Sequence, residues 1–147
     1  MFNKIKAWFC SESLASKNLG LSIIRIGIGL VFIRFGFEKL MAGPEMWHTL
    51  GCMAQYVGIS FWPTLWGFLA GCAEFFGGIM LVVGFWTRLA SVAIALVMLV
   101  ATTMHYRVGD PWMKLSLPLS LLFVMIGLLI AGGGSFSVDS YIHRKNQ

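Results

Sequence analysis

The stretch Gly67-Phe68-Leu69-Ala70-Gly71-Cys72-Ala73-Glu74-Phe75-Phe76-Gly77-Gly78 decides the fold. It lies inside an apolar run from about Pro63 to Gly84. At helical spacing Gly67, Ala70, Gly71, Glu74, Gly77 and Gly78 share one face, and Leu69, Phe75, Phe76, Ile79 and Met80 share the other. This inverts a soluble amphipathic helix: the large residues are expected to face lipid and the small ones another helix. Gly67 and Gly71 form a GxxxG pair that lets helix backbones approach closely, with Gly78 continuing the packing stripe. Glu74 sits on that stripe. A carboxylate deep in a bilayer costs about 3 kcal/mol on insertion scales, so it is expected to face the protein interior and to have a partner. Two readings of Glu74 stand side by side: a residue that holds helices in register, and a participant in chemistry or transport.

The whole chain agrees with a membrane reading. Of its 147 residues 58% are hydrophobic and 12% charged, with a mean hydropathy of +0.80. A soluble domain of this length has no room to bury so much apolar surface. The net charge of +5 does not point to nucleic acid, because the basic residues are scattered at the ends of apolar runs and form no stripe interleaved with aromatics. Cys10, Cys52 and Cys72 show no CxxC spacing, so neither a disulfide framework nor a metal site is expected.

Working outward, the first span is expected over residues 19–41, the second over 63–84, the third over 89–106 and the fourth over 112–131. Residues 1–18 read as a cytoplasmic interfacial segment, in which Phe2, Ile5 and Phe9 share a helical face beside Lys4, Lys6 and Trp8. No cleavable signal is expected there. Glu45 to Tyr56 reads as a short interfacial helix. Thr87 reads as a helix cap, Pro118 as the site of a kink in the fourth span, and residues 132–147 as a polar tail. The fold class is therefore all-α: an integral membrane four-helix bundle with an N-terminal interfacial segment. Lys4, Lys6, Lys17, Arg88, Arg144 and Lys145 fall on the side of the termini, against Lys39, Arg107 and Lys114 on the other. The positive-inside rule then places both termini in the cytoplasm.

The first span carries charge on two faces. Arg25, Gly29, Phe32, Gly36 and Lys39 align on one, and Gly27, Val31, Arg34 and Glu38 on another. Both faces are expected to find protein neighbours. Arg34 and Glu38, four residues apart, are spaced to pair within the helix. A count of depth along the spans puts Arg34 above Glu74, with a gap of about one arginine side chain. Arg34 is thus expected to bind Glu74, with Glu38 as a competitor. Arg25 is expected to pair with Asp139, locking the first helix to the end of the fourth.

These residues resemble the DoxX family of small four-helix membrane proteins. The likeness runs through Arg25-Ile26-Gly27-Ile28-Gly29, Phe32 and Gly36-Phe37-Glu38-Lys39-Leu40, then Glu74, Gly77-Gly78, Leu81, Gly84 and Thr87-Arg88. It ends in Gly132-Gly133-Gly134-Ser135-Phe136-Ser137-Val138-Asp139. Gly133 stands where the family usually has proline, and the acidic residue usual early in the fourth span is replaced by the neighbourhood of Lys114 and Ser116. The resemblance implies a bacterial inner-membrane protein. Related proteins are subunits of a thiosulfate:quinone oxidoreductase, and others are linked to quinone resistance or to complexes that handle oxidative and thiol stress. On that basis the expected function is a redox-associated subunit that binds a quinone or a small sulfur species. Arg34, Glu38, Lys39, Glu74 and His105 are the candidate ligand-binding residues, and no catalytic residue is singled out. The alternatives are a non-catalytic scaffold that recruits soluble redox enzymes and a small-molecule transporter. Expected partners are the lipid bilayer, a soluble redox enzyme or second membrane subunit, and a second copy of the chain; nucleic acid is not among them.

Overall fold

The computed structural model describes residues 14–145. Helices run over α1 (Leu14–Met41), α2 (Pro44–Cys52), α3 (Pro63–Val83), α4 (Thr87–Val108), α5 (Trp112–Ala131) and α6 (Val138–Lys145), with a 3-10 turn at Met53–Val57. There is no strand among the described residues. The helices α1, α3, α4 and α5 are each long and apolar enough to cross a bilayer. Their order sends the chain across four times, so the start of α1 and α6 lie at one end of the bundle, here the terminal end. The bundle is the all-α membrane fold that the apolar runs imply.

Two boundaries differ from expectation. The first helix begins at Leu14, because Ala15-Ser16-Lys17-Asn18 offers no Gly or Pro to stop it. Residues 1–13, where the interfacial face of Phe2, Ile5 and Phe9 falls, lie outside the described residues. The segment after α5 is not a loose tail: it folds back on the terminal end and forms α6.

The small residues of α3 do what their spacing requires. Gly67, Gly71, Glu74, Gly77 and Gly78 are buried, while Leu69, Phe76 and Ile79 are exposed. A side chain at Gly78 would run into the Gly29 carbonyl and the Ile33 amide of α1, and one at Gly29 into the Gly78 carbonyl and Val82. The two glycines thus bring the α1 and α3 backbones together. Gly67 lies against the Trp47 backbone of α2, Gly51 of α2 against Pro63, and Gly71 against Leu40 and the Lys39 stem. Phe32, Leu81, Ala90, Ile94, Met98, Leu121, Met125 and Leu128, drawn from all four spanning helices, close the apolar core.

The terminal end is held by two charges that were expected to meet and do not. Arg25, 1% exposed, donates from Nη1 to the carbonyls of Leu81 and Val82 and from Nη2 to the Phe136 carbonyl, the last at 2.9 Å. Asp139 accepts from the backbone N–H of Trp86 at 2.7 Å and of Thr87 at 3.0 Å. No direct Arg25–Asp139 ion pair occurs among the described residues. The reason is the turn between α3 and α4. The last carbonyls of α3 and the first N–H groups of α4 have no helical partners. A cation suits the negative end of a helix and an anion the positive end. Each charge serves the helix end of opposite sign, and the two are joined through Gly84–Thr87. Asp139, not Thr87, therefore caps α4, whose N-cap residue is Trp86 at φ 48°. Gly84 has φ +74°, and a side chain there would also strike Arg25 and Ser137.

Gly78→Ala is expected to force α1 and α3 apart and to lower stability by about 1–3 kcal/mol. Gly127→Ala, where the added methyl meets nothing within 4 Å, is expected to be neutral or mildly stabilising. Unfolding in mixed micelles measures both; equal losses would show that the α1–α3 contact is not tight.

Candidate functional site

The polar centre of the bundle is Lys39 with Glu74. Lys39 lies in the last turn of α1, on the face that also carries Arg25, Phe32 and Gly36 inward. Its Nζ lies 2.5 Å from Oε1 and 2.6 Å from Oε2 of Glu74. The Glu74 side chain is 0% exposed and that of Lys39 27%. Gly71, one turn from Glu74, makes the space through which the Lys39 stem passes.

Arg34 does not reach Glu74. It pairs with Glu38 at 2.6 Å, and the two side chains are 68% and 53% exposed. Azimuth decides the matter. Arg34 precedes Lys39 by five residues, about 140° around the axis at about 100° per residue, so it faces away from α3. Gly27, Val31, Arg34 and Glu38 are all exposed, and the second charged face of α1 has no protein neighbour among the described residues. Depth differs from the residue count as well. Gly51 sits against Pro63 and Gly67 against Trp47, so the first turns of α3 rise beside α2, beyond the end of α1. That offset brings Lys39 level with Gly71 and within reach of Glu74.

His105 also lies elsewhere. Its Nδ1 is 2.8 Å from Oδ2 of Asp110, whose Oδ1 accepts from Lys114 Nζ at 3.1 Å. Gly109, at φ 76°, turns the chain back so that Asp110 meets the last turn of α4. Hydrogen bonds from His105 and then Lys114 hold the Asp110 carboxyl below its ordinary pKa. This cluster joins α4 to α5 at the loop end and does not close a charged cavity.

The cavity that does exist lies beside the Lys39–Glu74 pair. It has a volume of about 640 Å³ and runs between α3 and α4 beneath α2 and the 3-10 turn. Leu50, Met53, Ala70, Ala73, Leu96 and Val97 represent its wall, and Lys39 is the charged residue in its lining. Trp66 also lines it, and its indole Nε1 is buried without a hydrogen-bond partner. Of the expected ligand-binding set only Lys39 lines this cavity, with Glu74 behind it. The sequence places Ala70 on the small-residue face; for Trp66 and Ala73 its signal is their place on the flank of the glycine stripe. A wider depression of about 1010 Å³ at the terminal end is lined by Trp86, Arg88, Ser135, Asp139 and Arg144. Its carboxylate is taken by α4, and Arg144 bonds the Ser135 and Ser140 carbonyls. No group of three or more His, Cys, Asp or Glu residues placed to hold a metal occurs among the described residues.

The family model described as DoxX matches residues 20–107. The matched segment carries Arg25, Lys39, Glu74, Trp66 and His105, and stops before the glycine triplet and Asp139. Comparison with curated proteins and with solved structures finds no match.

Lys39→Met strands the buried carboxylate and is expected to cost about 3–5 kcal/mol, while Lys39→Met with Glu74→Gln costs less than the first change alone. A double-mutant cycle in mixed micelles measures the coupling, and strictly additive losses would contradict it. At the loop end, a carboxyl whose folded pKa is lowered contributes stability in full above about pH 3.9 and loses it as pH falls through the folded value. Asp110→Asn is expected to remove that part of the acid-induced loss, read from unfolding midpoints between neutral pH and pH 3.

Proposed function

Because the chain belongs to the DoxX family, we propose that it is a redox-associated membrane subunit that holds a lipid-soluble quinone in the cavity between α3 and α4. The observation that carries this reading is the lining: an apolar chamber of about 640 Å³ with Lys39 as its charged group. Sites for small organic ligands have volumes of about 300–1,000 Å³, apolar walls and a few placed polar groups. A quinone has a flat apolar body and carbonyl acceptors. Two donors suit those acceptors. One is the Lys39 ammonium, already anchored by Glu74. The other is the Trp66 indole N–H, which has no partner of its own. A buried donor left unpaired costs about 1–3 kcal/mol, so a ligand that accepts from Trp66 recovers that loss.

The same lining argues against a small sulfur anion, which requires several cations and water rather than leucine and alanine. It also gives Glu74 a positioning role: the carboxylate fixes the ammonium at the wall. A bound quinone would supply two-electron redox chemistry, with the second partner a soluble redox enzyme or another membrane subunit. We propose a bacterial inner membrane on the family resemblance, and both termini cytoplasmic on the distribution of basic residues.

The test uses the purified protein in lipid nanodiscs and a short-chain ubiquinone analogue, with tryptophan fluorescence quenching as readout. Lys39→Met combined with Glu74→Gln keeps the charge balance and is expected to weaken binding about tenfold, the worth of one hydrogen bond to a charged donor. Ala73→Phe is expected to abolish binding by filling the chamber. Unchanged affinity in both variants overturns the reading.

A further inference from the structure

The outward face of α1 carries a feature that quinone binding does not use. Arg34 and Glu38 form their ion pair on the outside of the bundle, with side chains 68% and 53% exposed. The part of α1 long and apolar enough to cross a membrane is Ser16–Met41. At about 1.5 Å per residue Arg34 lies roughly 8 Å from its midpoint, within the half-thickness of about 15 Å of a hydrocarbon core. An ion pair presented to acyl chains is costly unless protein covers it.

The rest of that face is built for close approach by a helix. Ile24, Val31 and Glu38 recur every seven residues, and so do Gly20, Gly27, Arg34 and Met41, three positions out of step with the first series. Two such series make the seam of a left-handed parallel helix pair. A Cβ added at Gly20 or Gly27 would meet nothing within 4 Å, so this side of the helix is open. The neighbouring exposed arc is different in kind: Ile23, Ile26, Leu30 and Phe37 are large and apolar, as a lipid-facing surface requires. The stripe mixes Gly20, Gly27, Arg34 and Glu38 with the exposed Ile24, Val31 and Met41, whereas the neighbouring arc carries neither glycine nor charge.

We propose that a second copy of this chain docks on the Gly20–Gly27–Val31–Arg34–Glu38 stripe, making a parallel α1–α1 dimer. The charge pattern selects the occupant. A two-fold interface sets each patch against itself. In a parallel pair the two arginines share one layer and the two glutamates the next, one helical turn away, so each guanidinium reaches the partner's carboxylate between layers and the four charges sum to zero. The glycines let the backbones approach, and burial between two helices removes the ions from lipid. The quinone cavity lies on the opposite side of α1, between α3 and α4, so dimerisation leaves it open.

Subunit counting by single-molecule photobleaching, on the purified protein diluted into phosphatidylcholine vesicles, is expected to show dimers. Glu38→Arg sets four cations together and is expected to weaken dimerisation at least tenfold. Arg34→Glu combined with Glu38→Arg restores the neutral cluster and is expected to recover most of it. A readout without charge changes uses a background in which Cys10, Cys52 and Cys72 are alanine. There Val31→Cys is expected to crosslink between copies under mild oxidation, and Leu30→Cys, about 100° away, is not. A monomeric wild-type protein overturns the proposal, as does crosslinking at position 30 in place of 31. Either result leaves the quinone reading intact, because that reading is tested by affinity alone.

Discussion

A carboxylate with no exposed surface in the middle of an apolar helix must be met by a cation, and much of this structure follows from how Glu74 is met. Lys39 can supply the charge only if α1 and α3 lie closer than ordinary side chains allow. Gly29 and Gly78 permit that approach, and Gly71 clears the path of the lysine stem. With α1 ending at the level of Gly71, the chain must cross the top of α3. It does so through α2, whose Trp47 backbone rests on Gly67 and whose Trp47 indole N–H donates to the Lys39 carbonyl at 2.8 Å. The roof formed in this way covers one end of the apolar cavity. One ionic contact, four glycines and a short helix together produce the chamber and place an ammonium at its wall.

The opposite end of the bundle solves a different problem. A tight turn between two spanning helices leaves carbonyls and N–H groups without partners, and an apolar surrounding makes each of them costly. Arg25 satisfies the carbonyls and Asp139 the N–H groups. Because Arg25 belongs to α1 and Asp139 to α6, the α3–α4 turn becomes the point where the first helix and the last are tied together. Trp86 accepts a left-handed backbone there, a conformation with a cost for any side chain, and the bonds of Asp139 to Trp86 and Thr87 hold it in place.

Charge is therefore sorted by function across α1. Arg25 caps, Lys39 neutralises Glu74 at the cavity, and Arg34 with Glu38 faces away from the bundle. Three kinds of task sit on one helix because its inner face is divided by depth and its outer face is separated from the inner by rotation.

The four apolar runs, the inverted small-and-large pattern of α3 and the interior place of Glu74 were legible in the sequence alone, since hydropathy and helical period depend only on the order of residues. The alignment of Arg25, Phe32, Gly36 and Lys39 on one face of α1 was legible for the same reason. That this face alone turns inward was not, since the face of Gly27, Val31, Arg34 and Glu38 was expected to find protein neighbours too. Which cation meets Glu74 was not legible either. That choice depends on the rotation of α1 against α3 and on the rise of α3 beside α2, and neither is encoded in the residue counts of two separate helices. The partners of Arg25 and Asp139 were hidden for a related reason: they are backbone groups of a turn, and a sequence does not reveal which carbonyls are left unpaired until the turn is folded. The cavity and its tryptophan donor belong wholly to the tertiary structure, because a void arises only from how finished helices fail to fill the space between them.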